Sequence, residues 1–111
     1  MLSPGPETTL TSRVRLDWRD ILSTLKNEGL ESIMIEGGAS VINSLLAPQY
    51  SSLINSVIIT IAPTWLGEGG VVVSPPRRVD SEKKAVPAVK LEGVKWIPLG
   101  EDVVLCGRIK G

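Results

Sequence analysis

The chain has 111 residues, of which 42% are hydrophobic and 22% charged, a size and composition that fit one domain with a packed core. Lysine and arginine together (12) match aspartate and glutamate together (12), and a formal net charge of zero argues against a nucleic-acid or membrane-surface role driven by bulk charge. With no histidine and a single cysteine, Cys106, the chain alone cannot build a Cys/His zinc site, a Ser-His or Cys-His catalytic pair or an internal disulfide.

From the N-terminus, "MLSPGPETTLTS" is rich in Pro, Gly, Ser and Thr and reads as part of a flexible lead-in over residues 1–14, with the domain proper over 15–111. It lacks the positive and apolar regions of a secretory signal, and no apolar run is long enough to span a membrane, so a cytoplasmic protein is expected. In "DWRDILSTLKNEG", Asp17 fits an N-cap, and Trp18, Ile21, Leu22 and Leu25 fall on one helical face. Gly29 suits the position just past the end of that helix.

The next elements imply an α/β order. "SIMIE" reads as a short buried strand, and "ASVINSLLA" as a helix with Val41, Ile42, Leu45 and Leu46 on one side, stopped by Pro48. "SVIITIA" is β-branched and long enough for a core strand. Helix, strand, helix, strand predicts neighbouring parallel strands joined by a right-handed crossover. After the turn-rich "PTWLGEGG", residues 71–73 are a candidate short strand and 75–87 read mainly as exposed loop. "AVKLEGVKWIPL", then Gly100-Glu101-Asp102, then "VVLCGRIK" is a β-hairpin pattern. Two apolar strands under only two helices leave an incomplete sheet, which predicts partner strands supplied from elsewhere.

The stretch that points to chemistry is "MIEGGAS", residues 34–40. A strand that turns on Gly37-Gly38 directly into a helix presents unpaired backbone N–H groups and the positive end of the helix dipole, and glycine removes the Cβ that would hold an anion away. Residues 37–41 can therefore seat a phosphate, with the Ser40 hydroxyl as a further donor. On its own the pattern is more often a tight structural turn, and it lacks the third glycine of the dinucleotide fingerprint. Glu36, at the carboxyl end of a strand, stands where α/β sheets bind ligands, or is a solvated strand-end charge.

The remaining candidates read first as structural. Gly67, Gly69 and Gly70 suit turns with positive φ. Arg77 and Arg78 can meet a phosphate but fit a solvated loop. Trp18, Trp65 and Trp96 read as packing residues, Cys106 as an inert core thiol, and Asp102 as a turn former.

Together, "LKNEGLESIMIEGGASVINSLL", "INSVIITIAPTWLGEGG" and "LEGVKWIPLGEDVVLCGRI" resemble the C-terminal part of the riboflavin-biosynthesis reductases of the fungal branch, over Arg15 to Arg108. The resemblance implies a dihydrofolate-reductase-like fold, of which this chain is the C-terminal half: parallel strands with crossover helices plus a C-terminal antiparallel hairpin. It implies an NADPH-dependent reductase, usually a homodimer, that converts the ribosyl side chain of a pyrimidine phosphate to a ribityl chain. Hydride would pass from the nicotinamide to the sugar C1′, through an opened imine. Carried over by the motif, Gly37, Gly38, Ala39, Ser40 and Val41 bind NADPH and Glu36 lies by the substrate; no catalytic residue is assigned, and no metal, nucleic acid or membrane is implied. The N-terminal part of the family, with central strands and most substrate contacts, has no counterpart in these residues. A truncated member is expected, and with it the alternative of a non-catalytic remnant that binds nucleotide weakly or pairs with a full-length reductase.

Overall fold

Asp17 opens the first helix, its Oδ1 accepting a hydrogen bond of 2.8 Å from the Arg19 N–H. In the computed structural model, which describes residues 17–111, this helix (α1) spans Trp18–Asn27. Trp18, Ile21, Leu22 and Leu25 are half-buried while the residues between them are exposed, as the helical spacing predicts. The helix ends in a Schellman arrangement: Gly29 N–H donates to the Lys26 carbonyl (2.9 Å) and Leu30 N–H to the Leu25 carbonyl (3.1 Å). Gly29 holds φ at +91°, which a side chain would resist. The expected lead-in over 1–14 lies outside the described residues.

The chain divides into two units, 1–35 and 36–111. The second begins with helix α2, Ala39–Leu46, in which Leu45 is buried and Val41, Ile42 and Leu46 are half-buried, the face expected from their spacing. A short 3-10 helix, Ser51–Leu53, follows, with Tyr50 buried just before it. Then come β1 (Val57–Ile61), β2 (Arg78–Val79), β3 (Ala85–Val86), β4 (Leu91–Leu99) and β5 (Asp102–Ile109). β1, β5 and β4 form a three-stranded sheet in that order, and β2 and β3 a separate two-stranded one.

The C-terminal hairpin forms as the alternation predicts, with β4 and β5 antiparallel and closed by Gly100-Glu101. Gly100, at the first turn position with φ +59°, fits a primed two-residue turn that follows the twist of the strands. Pro98 is tolerated within β4 because that strand is an edge of the sheet. The ladder shifts register between Glu92 and Lys95, so that Gly93 and Val94 stand against Gly107 alone. Gly93 sits there at φ +60°, the geometry of a glycine bulge. Opposite it, Gly107 is buried, and a Cβ there would come within 3.2 Å of Leu91 Cβ and 3.3 Å of Val94 Cγ2.

Three expectations are revised. First, "SIMIE" is not a strand: residues 30–38 hold no regular element, and Met34 is 77% exposed. A strand needs a neighbouring ladder for its N–H and C=O groups, and none of the described residues supplies one to this segment. The expected parallel pair is therefore absent among the described residues, where every pairing is antiparallel. Second, "SVIITIA" forms β1 but is not buried, because β5 flanks it on one edge only; Ile58, Ile59 and Ile61 are 62%, 42% and 45% exposed. Third, residues 71–73 are not a strand, and the stretch read as loop over 75–87 contains the β2–β3 hairpin. Asp80 organises that hairpin: its Oδ1 accepts from the N–H of Glu82 (2.8 Å) and of Lys84 (2.9 Å).

Candidate functional site

The turn into α2 is built as an open N-terminus. Gly37 has φ +152°, a conformation that side-chain-bearing residues rarely adopt, so the backbone itself selects glycine there. A Cβ at Gly37 would only touch Val41, at 3.5 Å from its Cβ. Gly38 differs: its φ of −73° and ψ of 178° are ordinary, and a Cβ there would meet nothing among the described residues within 4 Å. Neither backbone geometry nor internal packing requires glycine at 38.

Gly38 is also the N-cap of α2 and makes no side-chain capping bond, although Ser, Thr, Asp or Asn would cap better. The first helical bond is Ile42 N–H to the Gly38 carbonyl (3.2 Å), which leaves the N–H groups of Ala39, Ser40 and Val41 ahead of the ladder. Ser40 is exposed, while Ala39 and Val41 are half-buried. The arrangement combines three N–H donors, a hydroxyl, the positive end of a helix dipole and an absent Cβ. That is the chemistry of an anion cradle.

Glu36 precedes the turn directly and is exposed, with no ion pair among the described residues. Its carboxylate is available to accept hydrogen bonds from a hydroxyl- or amine-bearing ligand.

The "TWLGEGG" loop leaves β1 with Gly67 and Gly69 at φ +92° and +95°, which supports the turn reading of these glycines. Trp65 and Leu66 on this loop are 99% and 95% exposed, so Trp65 does not pack among the described residues, and Trp96, at 61%, is exposed as well. Cys106 is a free, half-buried thiol in β5, and Asp102 opens that strand beside the turn. Sequence reasoning missed Asn43, whose Nδ2 donates to the Val72 carbonyl (3.1 Å) and ties α2 to the segment after the glycine-rich loop. Asn43 Oδ1 is buried without a partner. The only signal was an amide at a helix position otherwise suited to an apolar side chain.

Comparison with known proteins gives the family. The family model of the RibD C-terminal domain matches residues 3–105, and the chain belongs to that family. Among curated relatives, it is 43% identical over 97 residues to the 2,5-diamino-6-ribosylamino-4(3H)-pyrimidinone 5′-phosphate reductase of Candida glabrata, covering 86% of this chain and 35% of the relative. The proteins of the same name from Saccharomyces cerevisiae and Debaryomyces hansenii are 42% and 45% identical, with 34% and 33% of their lengths covered. Among solved structures, the Saccharomyces cerevisiae riboflavin biosynthesis reductase superposes with a TM-score of 0.69 at 42% identity, over 86% of this chain and 41% of that one. The chain thus spans about a third of the length of the curated relatives it matches. Among the described residues, no helix is long and apolar enough to cross a membrane.

Proposed function

We propose that this chain is the cofactor-binding C-terminal part of an NADPH-dependent reductase acting on 2,5-diamino-6-ribosylamino-4(3H)-pyrimidinone 5′-phosphate in riboflavin biosynthesis. The observation that carries the reading is the open N-terminus of α2: a glycine at 38 that nothing in the chain itself demands, over N–H groups that no side chain caps. The names of the relatives support the reaction class and the substrate.

In this reading the N–H groups of Gly38 to Val41 and the Ser40 hydroxyl hold a phosphate of the cofactor. Charge-assisted N–H bonds of this kind contribute roughly 1.5–3 kcal/mol each. Glu36 accepts hydrogen bonds from the substrate and positions it against the nicotinamide. NADPH, when bound, supplies the hydride that reduces the ribosyl chain at C1′. The chain has no histidine to act as acid or base, so its contribution is binding and orientation. A dihydrofolate-reductase-like sheet requires the neighbouring strands of a complete reductase. The homodimer and the cytoplasmic location belong to the same reading.

A second reading rests on β1. Its outer edge has no partner strand among the described residues, and its isoleucines face solvent. Such an edge accepts another strand. By this reading the chain is a non-catalytic remnant that binds nucleotide weakly and pairs with a full-length reductase.

Titration with NADPH tests the cofactor site. Gly38→Asp places a carboxylate where the phosphate sits; binding is expected to weaken at least tenfold, about 1.4 kcal/mol. The same change supplies a better N-cap, so stability is expected to rise by a few tenths of a kcal/mol. Equal NADPH affinity in the two proteins removes the phosphate assignment.

A further inference from the structure

Away from the α2 turn, and sharing no residue with it, the second unit contains an open cleft of about 600 Å³. Three cationic residues line it: Arg78 from β2, Lys90 just before β4 and Lys110 just after β5. Ser51 and Ser52 of the 3-10 helix add two hydroxyls; among the described residues no acidic side chain lines the cleft, and the carboxylate of Gly111, which also lines it, forms no ion pair within 4 Å. None of the three cations has an ion-pair partner among the described residues.

Two observations show that this charge is not neutralised internally. Lys90 and Lys110 stand opposite each other, one step beyond the last ladder pair Leu91↔Ile109, and the Lys110 N–H donates to the Lys90 carbonyl at 2.8 Å. Like charges directly opposite across a ladder repel. The nearest carboxylate along that ladder, Glu92, pairs in register with Arg108 and forms no ion pair within 4 Å. Independently, the Nε of Arg78 is buried and has no hydrogen-bond partner. A shielded guanidinium N–H left unpaired is costly, and an acceptor brought into the cleft removes that cost.

We propose that this cleft is an anion site for a phosphate-bearing ligand, held by Arg78, Lys90 and Lys110 with the hydroxyls of Ser51 and Ser52 as further donors. A phosphate dianion matches the set: it relieves the Lys90–Lys110 repulsion, accepts from the Arg78 fork and takes hydroxyl donors as well. The apolar walls given by Ile54 and Val89 would lie against the body of a phosphomonoester. The solvated-loop reading of Arg78 therefore gives way to a positioned one, made possible by the Asp80-centred turn that holds the β2–β3 hairpin.

The test is thermal unfolding in inorganic phosphate at constant ionic strength, with the intact chain and with Lys110→Glu. Phosphate raises Tm nonspecifically through exclusion from protein surface, equally in both proteins. The α2 turn contributes its own saturable phosphate response to both proteins, so the two are compared with Gly38→Asp present in each, and there the cleft adds a saturable rise only where Lys110 is retained. Lys110→Glu, at an exposed position, is expected to raise Tm in phosphate-free buffer by converting a repulsive pair into an attractive one, and to lower apparent phosphate affinity at least tenfold. Repeating the titration with a nucleoside monophosphate distinguishes free phosphate from a phosphomonoester; tighter binding of the nucleotide assigns a role to the apolar walls. An identical phosphate response in the two proteins, or no saturable response where Lys110 is retained, overturns the proposal. Because Gly38→Asp removes the α2 response from both proteins, failure of the cleft is read separately from failure of the NADPH site.

Discussion

β1 and β5 are close in composition and opposite in fate. Apart from Asp102 and Arg108 near its ends, "DVVLCGRI" is apolar like "VIITI", and the two pair with each other through Val57↔Gly107 to Ile61↔Val103. β5 also has β4 on its other side, and its residues from Asp102 to Cys106 are half-buried. Among the described residues β1 has one neighbour only, and from Ile58 onward it is exposed. The difference lies in position within the sheet and not in hydrophobicity. An apolar strand with a single neighbour is half of an interface. Exposed apolar surface of this kind marks a place where other protein belongs.

The largest effect is expected in β5. Gly107→Val forces side-chain atoms against Leu91 and Val94, and it is expected to destabilise the chain by about 1–3 kcal/mol in urea unfolding. A neutral result would mean that the bulge opposite Gly107 adjusts freely and that β5 is less confined than its burial implies. On the β1 side, Ile58→Thr is expected to change stability by no more than about 0.5 kcal/mol in the isolated chain, because that side chain is 62% exposed. In a chimera that joins this chain to the N-terminal part of the Candida glabrata relative, the same substitution buries a hydroxyl, and a cost of about 1–3 kcal/mol is expected. Equal effects in the two settings would show that β1 gains no neighbour from the rest of a reductase.

Local structure was legible where it depends on local chemistry. Asp17 and Gly29 bound α1, the glycine turn and Pro48 bound α2, and alternation around Gly100-Glu101 located the β4–β5 hairpin. Each of these rests on caps, turns and periodicity within a few residues. The reading went wrong where it assumed neighbours. "SIMIE" has strand composition, but a strand exists only through its ladder. Trp65 and Trp96 have the character of packing residues, yet the described residues leave both exposed. The β2–β3 hairpin was missed because charged and proline residues masked the Asp80 turn, and with it went the placement of Arg78. The same division holds around α2: the open N–H groups of 39–41 are local and follow from "EGGAS", whereas the link from Asn43 to Val72 spans distant residues and left no periodic trace.

The central claim is that the α2 cradle belongs to a reductase whose remaining strands complete the sheet beside β1. The most direct measurement is NADPH oxidation by that chimera in the presence of the pyrimidine ribosyl phosphate, followed by the loss of nicotinamide absorbance. The account predicts turnover by the chimera, none by the present chain alone, and loss of turnover on Gly38→Asp in the chimera. A folded chimera that oxidises NADPH equally well with and without Gly38→Asp would contradict it.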